Sequence, residues 1–416
     1  MRQPIAAAAA GLLAAGLLAG CAGQPDTTIT LWAGPVGDFA TQTEEEDPAA
    51  GLVAAFRKEN PGIGVEVVYL TAAEIDAKLA AGERPDLILD SSERLIRAAD
   101  EGVAFADLSA LWTDAVLADV DGVSTAIAPA CQDSSGSWRV LPLAVMVDCM
   151  AVNPTLFEAA GAADLLTESR TWTPDQFVWA LDRLRDSGLY QTGLVYSGAA
   201  YGDQGTRMLL QNLAGIDFTN ANHTRYTFGG DKALEALTTL RSLCDADKLS
   251  YEKAATAADA IRVFSGGSSA LSLCWSATIQ NTFAADAPFT PYVMAYPAQG
   301  DPVLYGTVWG FALPDTGDSA RMAAAQTLAQ SLCASADAVR LTGQLPARSS
   351  LGDVWADTPY AQQMAGFAAL LPYLGDLYGV TPGWNEQREA WRVLIQDTVT
   401  GETVDAALAA YTAAVG

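Results

Sequence analysis

The sequence predicts an α/β protein in which a parallel sheet carries helices on its faces, and three observations lead there. Short β-branched runs alternate with helical periodicity from residue 28 onward, at the spacing of strand–helix–strand units. The stretch 138–157, W-R-V-L-P-L-A-V-M-V-D-C-M-A-V-N-P-T-L-F, is apolar and β-branched enough for a buried strand, and Asn153-Pro154 closes it. Finally, 416 residues exceed one ordinary domain of about 150, and 50% hydrophobic content is enough to fill more than one core.

The elements follow in order. Residues 28–32 alternate as a strand does. Residues 48–60 read as a helix with Leu52, Val53, Ala55 and Phe56 on one face and Pro61-Gly62 as its stop. Residues 65–70 form a second strand, 75–81 a helix ending at Gly82, and 86–90 a third strand running into Ser92 as a helix cap. Ligands of such sheets bind beyond the carboxyl ends of the strands, where Trp32 and Asp90 fall. After the 138–157 pivot, Thr173-Pro174-Asp175-Gln176 is a capping box with proline at the first helical position. Residues 190–196 are strand-like, 201–215 helical, and Leu234, Leu237, Leu240 and Leu243 form the inward stripe of a helix starting at Asp231. A Gly266-Gly267 turn precedes a strand over 270–274, and 291–296 and 308–313 are further strands. Residues 320–334 are an amphipathic helix, and two helices close the chain, the last with Val404, Ala407, Leu408, Tyr411 and Val415 at helical spacing.

The first twenty residues carry one charge, Arg2, and an Ala/Leu/Gly run that reads as a signal-peptide core too short to span a membrane. Leu18-Ala19-Gly20-Cys21 resembles the lipobox of bacterial lipoproteins, which implies cleavage before Cys21 and its lipidation. Two or three acyl chains, at about 0.8 kcal/mol per buried CH₂, hold a domain on a membrane face without a spanning helix. Removing residues 1–20 leaves 22 basic against 49 acidic side chains, a formal charge of −27 that repels nucleic acid and anionic headgroups. The remaining cysteines are Cys131, Cys149, Cys244, Cys274 and Cys333. An exported chain permits disulfides. Cys131 and Cys149 bracket the pivot and are the first candidates for a bridge, with buried free thiols as the alternative.

Catalytic machinery is sparse. The single histidine, His223, lies in a polar stretch and reads as a solvated loop residue. Nucleophile-elbow, P-loop and C-x-x-C patterns are absent, so no cofactor or metal is expected. A carboxylate pair for glycoside hydrolysis remains an open reading, because no acid stands out among 49. Tryptophans are more informative. Trp32, Trp275, Trp309 and Trp384 fall at strand ends or helix starts, where each has two readings, ligand stacking or core packing, whereas Trp172, Trp179 and Trp391 sit on helical stripes and read as core.

In order along the chain, Ala55-Phe56-Arg57-Lys58-Glu59-Asn60-Pro61-Gly62, Arg84-Pro85-Asp86-Leu87-Ile88, the 138–157 pivot, Thr171-Trp172-Thr173-Pro174-Asp175-Gln176-Phe177 and the segment 264–275 resemble the landmarks of family 1 extracellular solute-binding proteins. These are the carbohydrate-capturing proteins of ABC importers, of which maltose-binding protein is one. The resemblance implies a two-lobed periplasmic-binding-protein fold that closes on a ligand, with crossovers near 145–150 and 292–297. It implies residues 1–20 as signal peptide, 21–27 as lipidated cysteine and tether, 28–145 with 296–344 as lobe one, and 146–295 with 345–416 as lobe two. It also places Asp90, Ser91, Glu93 and Arg94 at sugar-hydroxyl positions, Trp275 and Trp384 at stacking positions, and Tyr201 and Asp203 at polar contacts of lobe two. The expected protein is a monomer, not an enzyme, delivering a sugar to a permease outside the cytoplasm. Met146 stands where the maltose binder has a carboxylate, and Asp90 where it has a tryptophan, so the expected ligand is a carbohydrate or polyol rather than maltose itself. An exported glycan-acting enzyme and a sensor or adhesin are the competing expectations.

Overall fold

The computed structural model describes residues 25–40, 47–188, 192–197, 204–221, 223–283, 287–376, 379, 381–401 and 403–415. The chain begins with β1 (Thr27–Ala33), α1 (Ala50–Glu59), β2 (Ile63–Tyr69), α2 (Ala72–Ala80), β3 (Leu87–Ser91), α3 (Ser92–Asp100), α4 (Asp114–Asp121) and β4 (Leu141–Val147). It continues with β5 (Cys149–Val152), α5 (Pro154–Ala159), α6 (Pro174–Asp186), β6 (Leu194–Tyr196), α7 (Gln204–Ala214), α8 (Gly230–Asp245), β7 (Ser250–Glu252), α9 (Ala257–Ser265), β8 (Leu271–Trp275), α10 (Ala277–Phe283) and β9 (Tyr292–Met294). It ends with β10 (Leu304–Ala312), α11 (Ser319–Cys333), α12 (Ala336–Thr342), β11 (Leu345–Pro346), α13 (Ala361–Ala368), β12 (Leu374–Asp376), α14 (Trp384–Thr400) and α15 (Val404–Val415).

Local chemistry sets these boundaries. Thr71 with Glu74, and Thr173 with Gln176, form reciprocal capping boxes that start α2 and α6, and the Asn153 side chain accepts from the Thr155 and Leu156 amides to start α5 behind Pro154. The first of these boxes draws the start of α2 back to Ala72, ahead of the position that hydrophobic spacing gave. Between Ser91 and Ser92 there is no linker at all, so β3 delivers the first turn of α3 directly to the sheet's carboxyl edge.

Among the described residues the large sheet runs β11-β4-β10-β3-β1-β2, with β12 beside the start of β10; a second sheet runs β8-β5-β9, and β6 pairs with β7. β1, β2 and β3 are parallel, as alternation with helices requires. The whole sheet is mixed, however, because β10 runs antiparallel to both β3 and β4. The reason is topological: β4 leaves the large sheet for the second and β10 returns from it, and neighbours that leave and re-enter at one edge must run in opposite directions. Val147 is paired with Gly306 and Met150 with Met294, so the outgoing and returning segments are neighbours in both sheets. The Asp86 carboxylate accepts from the Thr30 amide at 2.7 Å and from Arg321 Nε at 2.7 Å, which ties α11 to the base of β1 and β3.

The Cys131–Cys149 bridge does not form. Both are buried free thiols, as are Cys274 and Cys333, and Cys244 is a half-buried one. Cys131 accepts from the Arg139 and Val140 amides at the beginning of β4, and Cys149 follows its far end. A strand of that length holds them about 20 Å apart, and a disulfide needs Cα atoms within about 7 Å. A chain lacking residues 1–25 should therefore release five thiols to a thiol reagent in denaturant with or without prior reduction. Three or fewer without reduction would show a bridge.

Candidate ligand-binding site

The two sheets meet at a polar cluster assembled from residues far apart in sequence. Glu93, in the first turn of α3, accepts a hydrogen bond from the Tyr305 hydroxyl at the start of β10. The Tyr305 carbonyl in turn accepts from the Asp148 amide at 2.9 Å. Asp148 is the single residue between β4 and β5, only 3% exposed, and its Oδ2 has no hydrogen-bond partner among the described residues. Burial pushes both carboxyls up to about 7, and Glu93 adds repulsion to Asp148. For Glu93 the Tyr305 bond and the charges of Arg97 and Arg388 oppose that rise. Gly379 lies against Glu93, where a Cβ would collide with the carboxylate, and its carbonyl accepts from Arg97 Nη2 at 3.3 Å.

Arg388 reaches this cluster from α14, and its guanidinium lies 5.6 Å from the ring of Trp384. A second cation over Trp384 is Arg207 of α7, at 4.7 Å. Thus Glu93 and Trp384, both expected from the sequence, belong to one neighbourhood bridged by Arg388. A second bridge crosses from the large sheet to α10: Gln344 Nε2 donates to Thr278 Oγ1 at 2.6 Å, Asn281 Nδ2 donates to the Gly343 carbonyl at 3.4 Å, and the Thr278 hydroxyl faces the Met146 sulfur at 3.9 Å.

The other expected residues are placed differently. Asp90 is buried at the end of β3 and accepts from the Ser91 amide at 2.7 Å and Arg94 Nε at 2.9 Å, while Arg94 also donates to Asp76 and to the Ala72 carbonyl. Burial raises the Asp90 pKa and Arg94 opposes the rise. This pair therefore locks α2 to α3 with its charges committed to each other. Ser91 is buried and makes no cap bond. Trp32 is a core residue of β1 with the Lys78 ammonium 5.6 Å from its ring. Trp275 does not line an open surface: it is 0% exposed, its Nε1 donates to Gln280 Oε1 at 2.9 Å, and Phe264 meets it edge-on at 5.1 Å. Strand-end position misled the reading because α9, through Phe264, and α10, through Gln280, close over the end of β8. Trp309 is half-buried between Ser91 and Ala144 of the adjoining strands, and its indole N–H has no acceptor among the described residues. Tyr201, Asp203 and Cys21 lie outside the described residues.

Sequence reasoning missed Asp148, Tyr305, Arg207 and Gln344. Asp148 carried a usable signal, being an acid inside the apolar run V-M-V-D-C-M, where a charge has to find a purpose. His223 does not join the cluster; it takes a left-handed backbone in the loop between Thr219 and Tyr226, and its Nδ1 lies 2.9 Å from Thr219 Oγ1. Among the described residues no group of three or more His, Cys, Asp or Glu is arranged to hold a metal, and no helix is long and apolar enough to cross a membrane. Open acceptors and donors, half-buried indoles and guanidinium groups at the meeting of two sheets are groups that can hydrogen-bond to and stack on a polar solute.

No curated protein matches the chain by sequence. Among solved structures, the cyclic α-maltosyl-1,6-maltose binding protein of Arthrobacter globiformis is similar at a TM-score of 0.74 and 20% identity, covering 93% of this chain and 97% of that one. An ABC substrate-binding protein of Listeria monocytogenes in complex with cycloalternan matches at 0.67 and 20%, over 93% and 98%. A solute-binding protein of Thermotoga lettingae bound to α-D-tagatose matches at 0.68 and 18%, over 94% and 100%. Likeness at these identities establishes the fold, which is the two-lobed α/β fold of periplasmic binding proteins. A family model described as bacterial extracellular solute-binding protein matches residues 51–369, and the chain belongs to that family.

Proposed function

We propose that this solute-binding protein captures a sugar or oligosaccharide between its lobes and delivers it to an ABC permease, held outside the cytoplasm by lipid on Cys21 and acting as a monomer. In this reading residues 28–145 and 296–344 form lobe one and 146–295 and 345–416 lobe two. The observation that carries it is the cluster at the junction of the sheets, where Glu93 from the first lobe and Arg388 and Trp384 from the last helices converge on unsatisfied polar atoms. Carboxylates, guanidinium groups and indole faces are the groups that hold hydroxyl pairs and the apolar faces of sugar rings. The similar structures from Arthrobacter, Listeria and Thermotoga carry sugar ligands in their descriptions, which supports this ligand class. Adjacent connections at Asp148 and between β9 and β10 suit a hinge, because rotation there leaves both sheets intact.

The test is a thermal-shift and calorimetric screen of residues 26–416 against mono-, di- and oligosaccharides and polyols. A ligand at a hundred times its Kd stabilises the folded state by about 2.7 kcal/mol, a rise of a few degrees. Saturable binding with the sugar recovered unchanged supports the receptor. The Glu93–Asp148 acids are what a glycan-acting enzyme would use, so release of shortened sugar, lost on removing either acid, would replace this reading with that one.

A further inference from the structure

Three acids are buried among the described residues, and they differ in one respect. Asp86 has Arg321 and Asp90 has Arg94 as hydrogen-bonded cations. Asp148 has none. What opposes its ionisation is burial and the nearby Glu93 carboxyl, with no cation to offset them. Around it stand Cys149 of β5, Cys274 of β8, Tyr196 of β6 and Tyr296 beyond β9, thiols and phenols whose own ionisation burial suppresses, so they remain neutral at ordinary pH. The cations of the cluster, Arg97 of α3 and Arg388 of α14, act on Glu93. Both acids are fixed by one residue, since Tyr305 bonds Glu93 through its hydroxyl and Asp148 through its carbonyl.

A buried carboxyl with an acid for a neighbour and an oxygen lacking any donor is costly unless something arrives to meet it. A sugar hydroxyl would supply one hydrogen bond and no counter-charge. An ammonium supplies donors to both acids together with a positive charge that relieves their mutual repulsion. We propose that the captured solute carries a basic nitrogen, as an amino sugar or an amine-linked pseudo-oligosaccharide, and that Asp148 together with Glu93 is the subsite that receives it. This rests on the carbohydrate-receptor reading above and narrows its ligand from neutral hydroxylated molecules to basic ones.

Matched ligand pairs differing in the nitrogen test it: acarbose against maltotetraose, and deacetylated chitobiose against chitobiose, titrated calorimetrically into residues 26–416. Near pH 8 the basic member of at least one pair should bind about tenfold or more tightly, a difference of about 1.4 kcal/mol. That advantage should shrink as the pH falls below about 6, where both acids are neutralised by protons while the amine keeps its charge. Asp148→Asn should abolish the preference, weakening the basic member far more than the neutral one. Glu93→Gln provides a second variant, expected to reduce the preference, in case the first folds poorly. Equal or tighter binding of the neutral members, with a ratio that Asp148→Asn leaves unchanged, overturns the proposal and leaves the sugar-receptor reading standing. Binding of neither series overturns both.

Discussion

Replacing Arg207 with alanine should cost about 3–5 kcal/mol of stability, the scale expected when a large buried side chain is deleted and its hydrogen-bonded partner is left unsatisfied. The Arg207 side chain is wholly buried, with its guanidinium 4.7 Å from Trp384, 5.0 Å from Phe218 and 5.1 Å from Trp391, and its Nη1 donates to Gln387 Oε1 at 2.7 Å. Gln387 passes the connection on, donating through Nε2 to the Tyr411 hydroxyl at 2.8 Å. One guanidinium thus joins α7, α14 and α15. Alanine leaves Gln387 without that partner and opens a cavity between three aromatic rings. Lysine should not rescue it, because a compact ammonium lacks the flat, weakly hydrated face that stacks on rings. Urea denaturation measures the loss, and a change under 1 kcal/mol would mean that the rings alone hold this joint. Since Trp384 and Arg388 lie on the same helix, the variant should also weaken ligand binding.

Asp148→Asn should make the protein more stable near pH 8 and leave it unchanged near pH 4. Burial raises the folded-state pKa of Asp148 from 3.8 to about 7. An acid raised in this way contributes its stability fully below its unfolded pKa and loses it as the pH climbs through the folded one. Between about pH 4 and 7 the loss reaches up to roughly 4 kcal/mol for a shift of this size. Glu93 adds to the same slope, less strongly because its rise to about 7 starts from 4.5 and is opposed by the Tyr305 bond and the charges of Arg97 and Arg388. Asp119 and Asp133 act in the opposite direction, their pKa values being lowered by hydrogen bonds from Ser350 and Ser349, and from Ser135, Arg139 and the Ser137 amide, against a burial cost, so they lose stability as the pH falls. The quantity to read is therefore the wild-type minus Asp148→Asn difference in denaturant midpoint across the pH range. Parallel curves would sink the idea.

The architecture was largely legible because it is written locally. Thr173 and Gln176 announce a capping box, Pro61-Gly62 stops α1, and the run L-P-L-A-V-M-V can be buried only as an inner strand. The direction of β10 was not legible, since it depends on where the chain re-enters the sheet rather than on any residue in it. The site was harder still. Asp90 and Arg94 fall at the end of β3 and the start of α3, yet Asp76, 18 residues before Arg94 and on another helix, joins them in a structural lock. Trp275 and Trp384 look alike as letters at element ends, but one is enclosed by Phe264 and Gln280 and the other is half-buried under two guanidinium groups. What a side chain faces depends on partners that other elements bring to it, from Gln280 five residues beyond Trp275 to Arg207 on α7 over Trp384, and one chain read alone does not reveal them.

The free thiols have a consequence for how the protein matures. In the folded chain burial pushes every one of them up, Cys244 and Cys333 to about 12, so almost no thiolate exists to react. The unfolded chain enjoys no such protection, and its cysteines have ordinary reactivity in any compartment that oxidises thiols. Maturation is then a race in which β4, β5 and β8 must close over Cys131, Cys149 and Cys274 before an oxidant joins two of them wrongly. A slow-folding variant would lose yield to mispaired chains even where its final stability is untouched.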